Sequence, residues 1–286
     1  MNKIIAGFLE KYNLNSLEIT DNPRELIIML ISDIKDCSIA DVKLDKVTLT
    51  AEEINIIDEM IKNIVNENIP PQYLTNKAHI YGLEFYIDNN VLIPRQDTET
   101  LIEHAIRTID DCGYKTALDM CTGSGIIGIC IAENSSINKV LLADVSHGAI
   151  NVCNRNIQSL GLEHKCSIIQ SNMFEKLYAL NTKYDIIVSN PPYLTNDEMK
   201  EISTFVQKEP ALALYGGRDG LQFYRTIFSE GKKFLNNNGT IMVEIGYAQA
   251  QDVLNIISEH KEYTDVRIIQ DINLKDRVII CRFQNK

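Results

Sequence analysis

The sequence predicts an α/β fold: a mostly parallel sheet of seven strands with helices on both faces, preceded by a small helical domain and a β-hairpin linker. Three observations predict it. From Asp97 onward, apolar strand-like runs alternate with helical stretches, the pattern of repeated strand–helix–strand units. A Gly-rich turn, Thr122-Gly123-Ser124-Gly125, stands between a strand and a helix, the context in which such a turn has meaning. The first 70 residues instead carry apolar side chains at helical spacing. The boundaries read as residues 1–75 for the helical domain, 76–95 for the linker and 96–286 for the α/β domain.

In chain order, Asp21-Asn22-Pro23 is a helix start, with proline tolerated in the first turn. Leu26, Ile27, Leu30 and Ile34 then fall at helical spacing. Thr50 and Glu53 form a capping box, and Ile57, Ile61 and Ile64 continue that helix's stripe. Such stripes build a core and say nothing about function. Next, His79 to Tyr86 and Val91 to Ile93 flank Asp88-Asn89-Asn90, which reads as a hairpin because Asn tolerates positive φ. Strands follow near 116–120, 139–144, 166–170, 184–189, 240–245, 265–270 and 277–282, and a helix spans Ile126 to Ala132.

Composition narrows the function classes. At 286 residues and 45% hydrophobic, the chain can fill one large and one small core. No apolar stretch approaches the length of a membrane span, and Met1-Asn2-Lys3-Ile4 is not followed by a signal-peptide core, so no membrane partner is expected. The seven cysteines are scattered with no C-x-x-C pair, which argues against a metal and for reduced thiols in a cytoplasm. The net charge of −11, without a Lys/Arg run, disfavours a direct nucleic-acid substrate and suits a basic protein partner.

Two motifs carry chemistry. Asn190-Pro191-Pro192-Tyr193 directly follows the apolar strand Tyr184 to Ser189. Neither proline can donate to a ladder, so the chain leaves the sheet rigidly at the strand's carboxyl end, where open α/β sheets bind ligands. Asn190 offers an amide that donates and accepts, Pro191 a free carbonyl, and Tyr193 a flat face. Such a set suits a planar amide or amino group; the alternative is a Pro-rich loop with a capping Asn. In the Gly-rich turn, Gly123 and Gly125 permit close approach of a ligand to the backbone. About 20 residues on, Asp144 ends the next apolar run, where a carboxylate accepts both ribose hydroxyls. Asp144 could equally cap the helix that follows.

Together these elements resemble the class I S-adenosylmethionine-dependent methyltransferases, with a Rossmann-like seven-stranded domain, and N-P-P-Y is similar to the motif of those that methylate amide or amino nitrogens. Further strings narrow the resemblance: Pro71-Gln72-Tyr73-Leu74, Ile93-Pro94-Arg95-Gln96-Asp97-Thr98-Glu99, Glu209-Pro210, Gly216-Gly217-Arg218-Asp219-Gly220-Leu221, Glu244-Ile245-Gly246 and Asp276-Arg277-Val278. All look like the HemK (PrmC) family, which methylates the glutamine of the Gly-Gly-Gln loop in peptide-chain release factors. The resemblance covers roughly residues 70–282 well and the first 70 weakly.

The resemblance implies that the last strand returns antiparallel. A pocket for one glutamine cannot tell one protein's glutamine from another's, so the helical domain is expected to supply the recognition surface. It implies S-adenosylmethionine as methyl donor, with S-adenosylhomocysteine as product. Cys121, Thr122, Gly123, Ser124 and Gly125 would wrap its methionine part. Asp144 would bind the ribose, Asn172 and Met173 the adenine, and Asn190 would border the methyl. Asn190, Pro191, Pro192 and Tyr193 would hold the substrate glutamine, with Asn190, Pro191 and Tyr193 catalytic; Tyr193 is otherwise a core residue. Arg95, Asp97 and Glu99 either line the cofactor or fix the hairpin to the sheet, and Glu209-Pro210 reads as a loop anchor. The family usually has Asp where Asn172 stands, and Gly where Cys121 and Asn76 stand. Cys121 is awkward if that position needs φ > 0. A ribosomal-protein glutamine methyltransferase is the nearest competitor. An RNA or DNA amino-group methyltransferase predicts a basic face, and a non-catalytic module predicts damage in the Gly turn or N-P-P-Y; the chain has neither.

Overall fold

The computed structural model describes residues 1–14 and 22–285. Asp21, the first residue of the helix-start signal, lies outside them. The chain divides into two units, Met1–Lys77 with Ser203–Lys208, and Ala78–Ile202 with Glu209–Lys286.

The first unit is helical: α1 (Asn2–Lys11), α2 (Pro23–Lys35), α3 (Ile39–Lys43), α4 (Ala51–Glu67) and α5 (Pro71–Thr75). The Asn22 side chain caps α2 by accepting from the Glu25 N–H. Thr50 and Glu53 close the expected capping box at α4, at 3.2 and 2.7 Å. Ile57, Ile61 and Ile64 are fully buried against Ile27, Leu30 and Ile31. The helix periods thus deliver one apolar face each to a shared core. Phe205, far along the chain in the Ser203–Lys208 segment, packs on that same core.

The second unit opens with a hairpin, β1 (Lys77–Ile80) and β2 (Leu83–Tyr86). Its turn is not at Asp88-Asn89-Asn90, as the sequence suggested, but at Tyr81-Gly82. Both of these residues have positive φ, 50° and 77°, the requirement of a two-residue hairpin turn. Asp88 instead makes its own local turn: its side chain accepts from the Asn90 N–H and its carbonyl from the Val91 N–H. Val91 to Ile93 forms no strand; the Ile93 N–H donates to the Glu209 carboxylate.

The main sheet contains β3 (Thr116–Met120), β4 (Lys139–Asp144), β5 (Cys166–Gln170), β6 (Tyr184–Ser189), β7 (Leu235–Glu244), β8 (Tyr263–Gln270) and β9 (Asp276–Phe283). Its order is β5-β4-β3-β6-β7-β9-β8, with β9 antiparallel to both neighbours. β7 begins five residues before the expected 240, because its pairing jumps from Tyr184↔Leu235 to Ile186↔Thr240 across the Asn236–Gly239 bulge. Helices α6 (Thr98–Cys112), α7 (Ile126–Asn134) and α8 (His147–Ser159) cover one face; α10 (Gln222–Glu230) and α11 (Ala250–Ser258) cover the other; the short α9 (Glu198–Glu201) lies in the segment after β6. The strands divide by alternate residues. Ile186, Val188 and Met242 join the first core, while Ile187, Ile241 and Val243 join the second. The chain winds from β3 out to β5, then returns to start β6 beside β3. That reversal opens a crevice at the carboxyl ends of β3 and β6.

Candidate active site

Register brings the motifs together. Met120 pairs with Ser189 and with Ala143, so Cys121, Asn190 and Asp144 leave three adjacent strands at one level. The Ser189 hydroxyl donates to the Met120 carbonyl at 2.6 Å and locks the two exits. The cleft above holds about 950 Å³ of empty space, part of it open to solvent. Cys121 to Ser124, Asp144, Asn172, Met173, Asn190 and Pro192 line it.

The Gly turn is built around two carboxylates, Asp144 half-buried and Asp119 fully buried. Asp144 accepts from the Gly123 N–H through one oxygen and from the Ser146 N–H through the other, both at 2.9 Å. Ser146, not Asp144, caps α8. Each Asp144 oxygen keeps a second lone pair for a ligand hydroxyl. Burial raises its carboxyl above the usual range, and its backbone N–H donors pull the other way. Beneath the turn, Asp119 accepts from Thr122 and from the Gly128 N–H. It is fully buried, its other oxygen is unpartnered, and burial pushes it up to about 7.

Cys121 adopts φ 59°, the left-handed region that favours glycine. The concern raised by its sequence is therefore real: a thiol side chain sits where the backbone prefers none. Met173 is left-handed too, at φ 46°, and the two sulfurs lie 3.8 Å apart on the cleft wall. Asn172 donates its Nδ2 to Glu175 at 2.8 Å, which leaves its oxygen as the end able to accept from an adenine amino group.

In the Asn190–Tyr193 segment, Asn190 faces the cleft and its Nδ2 donates to the Thr98 hydroxyl at 3.4 Å. Among the described residues no protein donor takes the Pro191 carbonyl. Tyr193 does not line the cleft. Its ring packs against the second apolar core, where burial pushes the phenol up to about 12. Its backbone is enclosed: Gln249 donates to the Tyr193 carbonyl, and a side chain at Gly216 would meet Tyr193 Cα at 2.6 Å. At Gly220 an added Cβ would stand 2.4 Å from the same carbonyl. The Gly216–Leu221 string is thus the mould for N-P-P-Y. Gly216→Ala is expected to lose about 1–3 kcal/mol of stability, as overpacking does, and to cut turnover more than cofactor affinity; thermal melts and initial rates check it.

The Ile93–Glu99 string divides its work. Arg95 lines the cleft and pairs with buried Glu209, which also accepts from the Ile93 N–H at 3.0 Å. Asp97 pairs with Arg277 at 2.9 Å, and Glu99 accepts from the Tyr81 N–H in the hairpin turn at 2.8 Å. Three contributors carried no individual sequence signal. Asn156 is fully buried and joins β2 to the Gly turn through Tyr86 and the Ser124 carbonyl. Thr98 and Glu244, 146 residues apart, meet at 2.7 Å behind Asn190. Only their place within resembling strings pointed to them.

Fold and site together define an α/β methyltransferase. The family model for a methyltransferase small domain matches residues 96–218. A methyltransferase from Pyrococcus furiosus superposes with TM-score 0.52 and 19% identity over 72% of this chain and 91% of that one, a likeness of fold. The release factor glutamine methyltransferase of Clostridium acetobutylicum is 39% identical over 84% of this chain and 86% of its own length. That of Borreliella burgdorferi is 34% identical over 96% and 92%. The ribosomal protein uL3 glutamine methyltransferase of Bordetella pertussis is 36% identical over 71% and 68%. This chain belongs to the release factor glutamine methyltransferase family.

Proposed function

We propose that this protein transfers a methyl group from S-adenosylmethionine to the side-chain amide nitrogen of the glutamine in the Gly-Gly-Gln motif of peptide-chain release factors, in the cytoplasm where those factors act. One observation carries the assignment to this site. Asn190 commits its N–H end to Thr98, so its oxygen is the end available to a substrate amide, on a strand exit level with the Gly turn.

The residues fit the cofactor. Asp144 has lone pairs for two ribose hydroxyls, Asn172 an acceptor for the adenine amino group, and Cys121 to Ser124 form the cleft wall beside them, with Gly125 buried behind. Bound there, S-adenosylmethionine supplies an electrophilic methyl on a positive sulfur. The protein's own task is alignment. An amide nitrogen is a poor nucleophile because its lone pair is delocalised into the carbonyl. The Asn190 oxygen and the Pro191 carbonyl each accept one N–H of the substrate amide, which directs the remaining lone pair into the cleft. Those acceptors also stabilise the positive charge that grows on nitrogen. The proton leaves after attack, so no strong base is needed. Pro191 and Pro192 hold the acceptors rigidly, and Tyr193 supports the segment from the core side. Orientation of this kind is worth up to roughly 7–11 kcal/mol.

Asp144→Ala is expected to weaken S-adenosylmethionine and S-adenosylhomocysteine by roughly tenfold to a hundredfold, the worth of charge-assisted hydrogen bonds; unchanged affinity by calorimetry removes Asp144 from ribose binding. The substrate is tested by incubating the protein with labelled S-adenosylmethionine and, separately, release factor and ribosomal proteins, then mapping the label by peptide mass spectrometry. The Bordetella likeness favours ribosomal protein uL3 as the second candidate. Label on a glutamine outside Gly-Gly-Gln would support it instead.

A further inference from the structure

Behind Asn190 lies a buried chain of polar groups that the transfer itself does not use. The Asn190 Nδ2 contacts Thr98 Oγ1 at 3.4 Å, and Thr98 Oγ1 contacts Glu244 Oε2 at 2.7 Å. Thr98 and Glu244 are each 1% exposed, so neither exchanges its partner for water. Tyr224 donates to the Glu244 backbone carbonyl at 3.0 Å and fixes the end of β7.

We infer that Glu244 and Thr98 are positioning residues that decide which end of the Asn190 amide faces the substrate. This rests on the reading that the Asn190 oxygen accepts from the substrate glutamine. The logic is donor counting. A carboxylate only accepts. With Glu244 ionised, the single Thr98 proton must point at Glu244, and the Thr98 oxygen can then only accept. Asn190 must offer it an N–H, and the Asn190 oxygen turns to the substrate. A protonated Glu244 reverses the chain. Its O–H donates to Thr98, the Thr98 proton is released toward Asn190, and the amide can turn over. Asn190 would then present N–H groups to an amide that itself presents N–H groups, a repulsive pairing. The 3.4 Å link is long, as catalytic hydrogen bonds often are before substrate binds.

The charges around Glu244 place this switch near neutrality. Burial is the main influence and pushes its carboxyl up to about 7. The Thr98 hydrogen bond and the Arg277 charge from β9 pull it down; Asp97, ahead of α6, raises it, and Arg95 lowers it. Tyr193 and Tyr224 face it as neutral phenols, both held above their ordinary range by burial. Arg277 is itself held by Asp97 and Asp271, so its charge is constant across the working range. A carboxyl at that value is ionised above it and protonated below, so methyl transfer should rise with pH through about 7.

The test uses the full-length protein with release factor as substrate. Single-turnover rates are measured from pH 6 to 8.5 for wild type, Thr98→Val, Thr98→Ser, Glu244→Gln and Asn190→Ala, with S-adenosylhomocysteine affinity measured on each. Thr98→Val removes the hydroxyl with little change of shape. It is expected to lower kcat by about tenfold or more, the scale of a misaligned reacting group, with release-factor KM and cofactor affinity within about twofold. Thr98→Ser should restore the rate. Glu244→Gln cannot ionise, so the rise near neutral pH should vanish. A wild-type rate in Thr98→Val, an unrescued Thr98→Ser, or a pH rise that survives in Glu244→Gln overturns the inference. Asn190→Ala separates the two levels. If it is inactive while Thr98→Val is fully active, only the relay falls; if it is fully active, the alignment mechanism beneath it falls too.

Discussion

Asn190→Ala should bind S-adenosylmethionine within a few-fold of wild type yet methylate release factor roughly a hundredfold to a thousandfold more slowly, the cost of removing one preorganised polar group from a transition state. The asymmetry follows from where the residue acts. The cofactor contacts we propose are spread over the Gly turn, Asp144, Asn172 and Met173, which belong to the exits of β3, β4 and β5. The alanine leaves all of these in place. The amide of the substrate, by contrast, would lose the acceptor we propose for one of its two N–H groups. The buried hydroxyl of Thr98 loses its Asn190 contact as well, though its bond to Glu244 survives, so folding should be little affected. Rapid-quench measurement of a single turnover with calorimetric cofactor titration checks both halves. A rate within a few-fold of wild type would refute alignment by Asn190.

Removing residues 1–76 is expected to abolish most methylation of intact release factor while the α/β unit still binds cofactor. All residues around the Gly turn, Asp144 and Asn190 lie in the second unit. A cleft that accepts one glutamine side chain cannot distinguish one protein's glutamine from another's. Discrimination needs further surface, and we assign it to the helical unit. The truncation must take account of Phe205, which packs on the helical core and would be left without it. Combining the deletion with Phe205→Ser guards against aggregation from that exposed ring. Cofactor binding by calorimetry and methylation of release factor against a short Gly-Gly-Gln peptide separate folding from recognition. Full activity on intact release factor would show that the helices do not carry recognition.

Much of this architecture is legible in the sequence because the physics is local. Alternating apolar runs identify each strand, and the cap at Asn22 and the box at Thr50–Glu53 form where their spacing says. Cys121 could be flagged in advance, since a turn that favours glycine penalises any side chain, and its φ of 59° bears that out. The hairpin turn is where local reading fails. Asp88-Asn89-Asn90 offers more turn-forming residues than Tyr81-Gly82, but Glu99 holds the Tyr81 N–H from 18 residues away. Such distant partners are what sequence reading lacks. Glu209 reaches Ile93 across 116 residues, and Asn156 reaches Tyr86 across 70. The Glu209-Pro210 string marks an anchor without naming what it holds, and nothing around Asn156 announces its contact. Tyr193 shows the opposite limit: its position in the motif suggested a substrate face, while its ring lies with the core.

The segment Ser203–Lys208 has a consequence for the order in which the protein can be made. Most of the helical unit lies ahead of the α/β unit in the chain, and most of its core is present once Ile64 has been added. Yet Phe205, which packs against that core, is added only after β3, β4, β5 and β6. The helical unit therefore gains its last contact late, after Asn190–Tyr193 has been made. On a translating ribosome, where domains generally fold from the N-terminus onward, this protein should carry a helical core without its Phe205 contact from the addition of Ile64 until Phe205 itself is added. Pausing translation just before Ser203 would leave that core open to proteolysis, and pausing well after Lys208 would leave it closed.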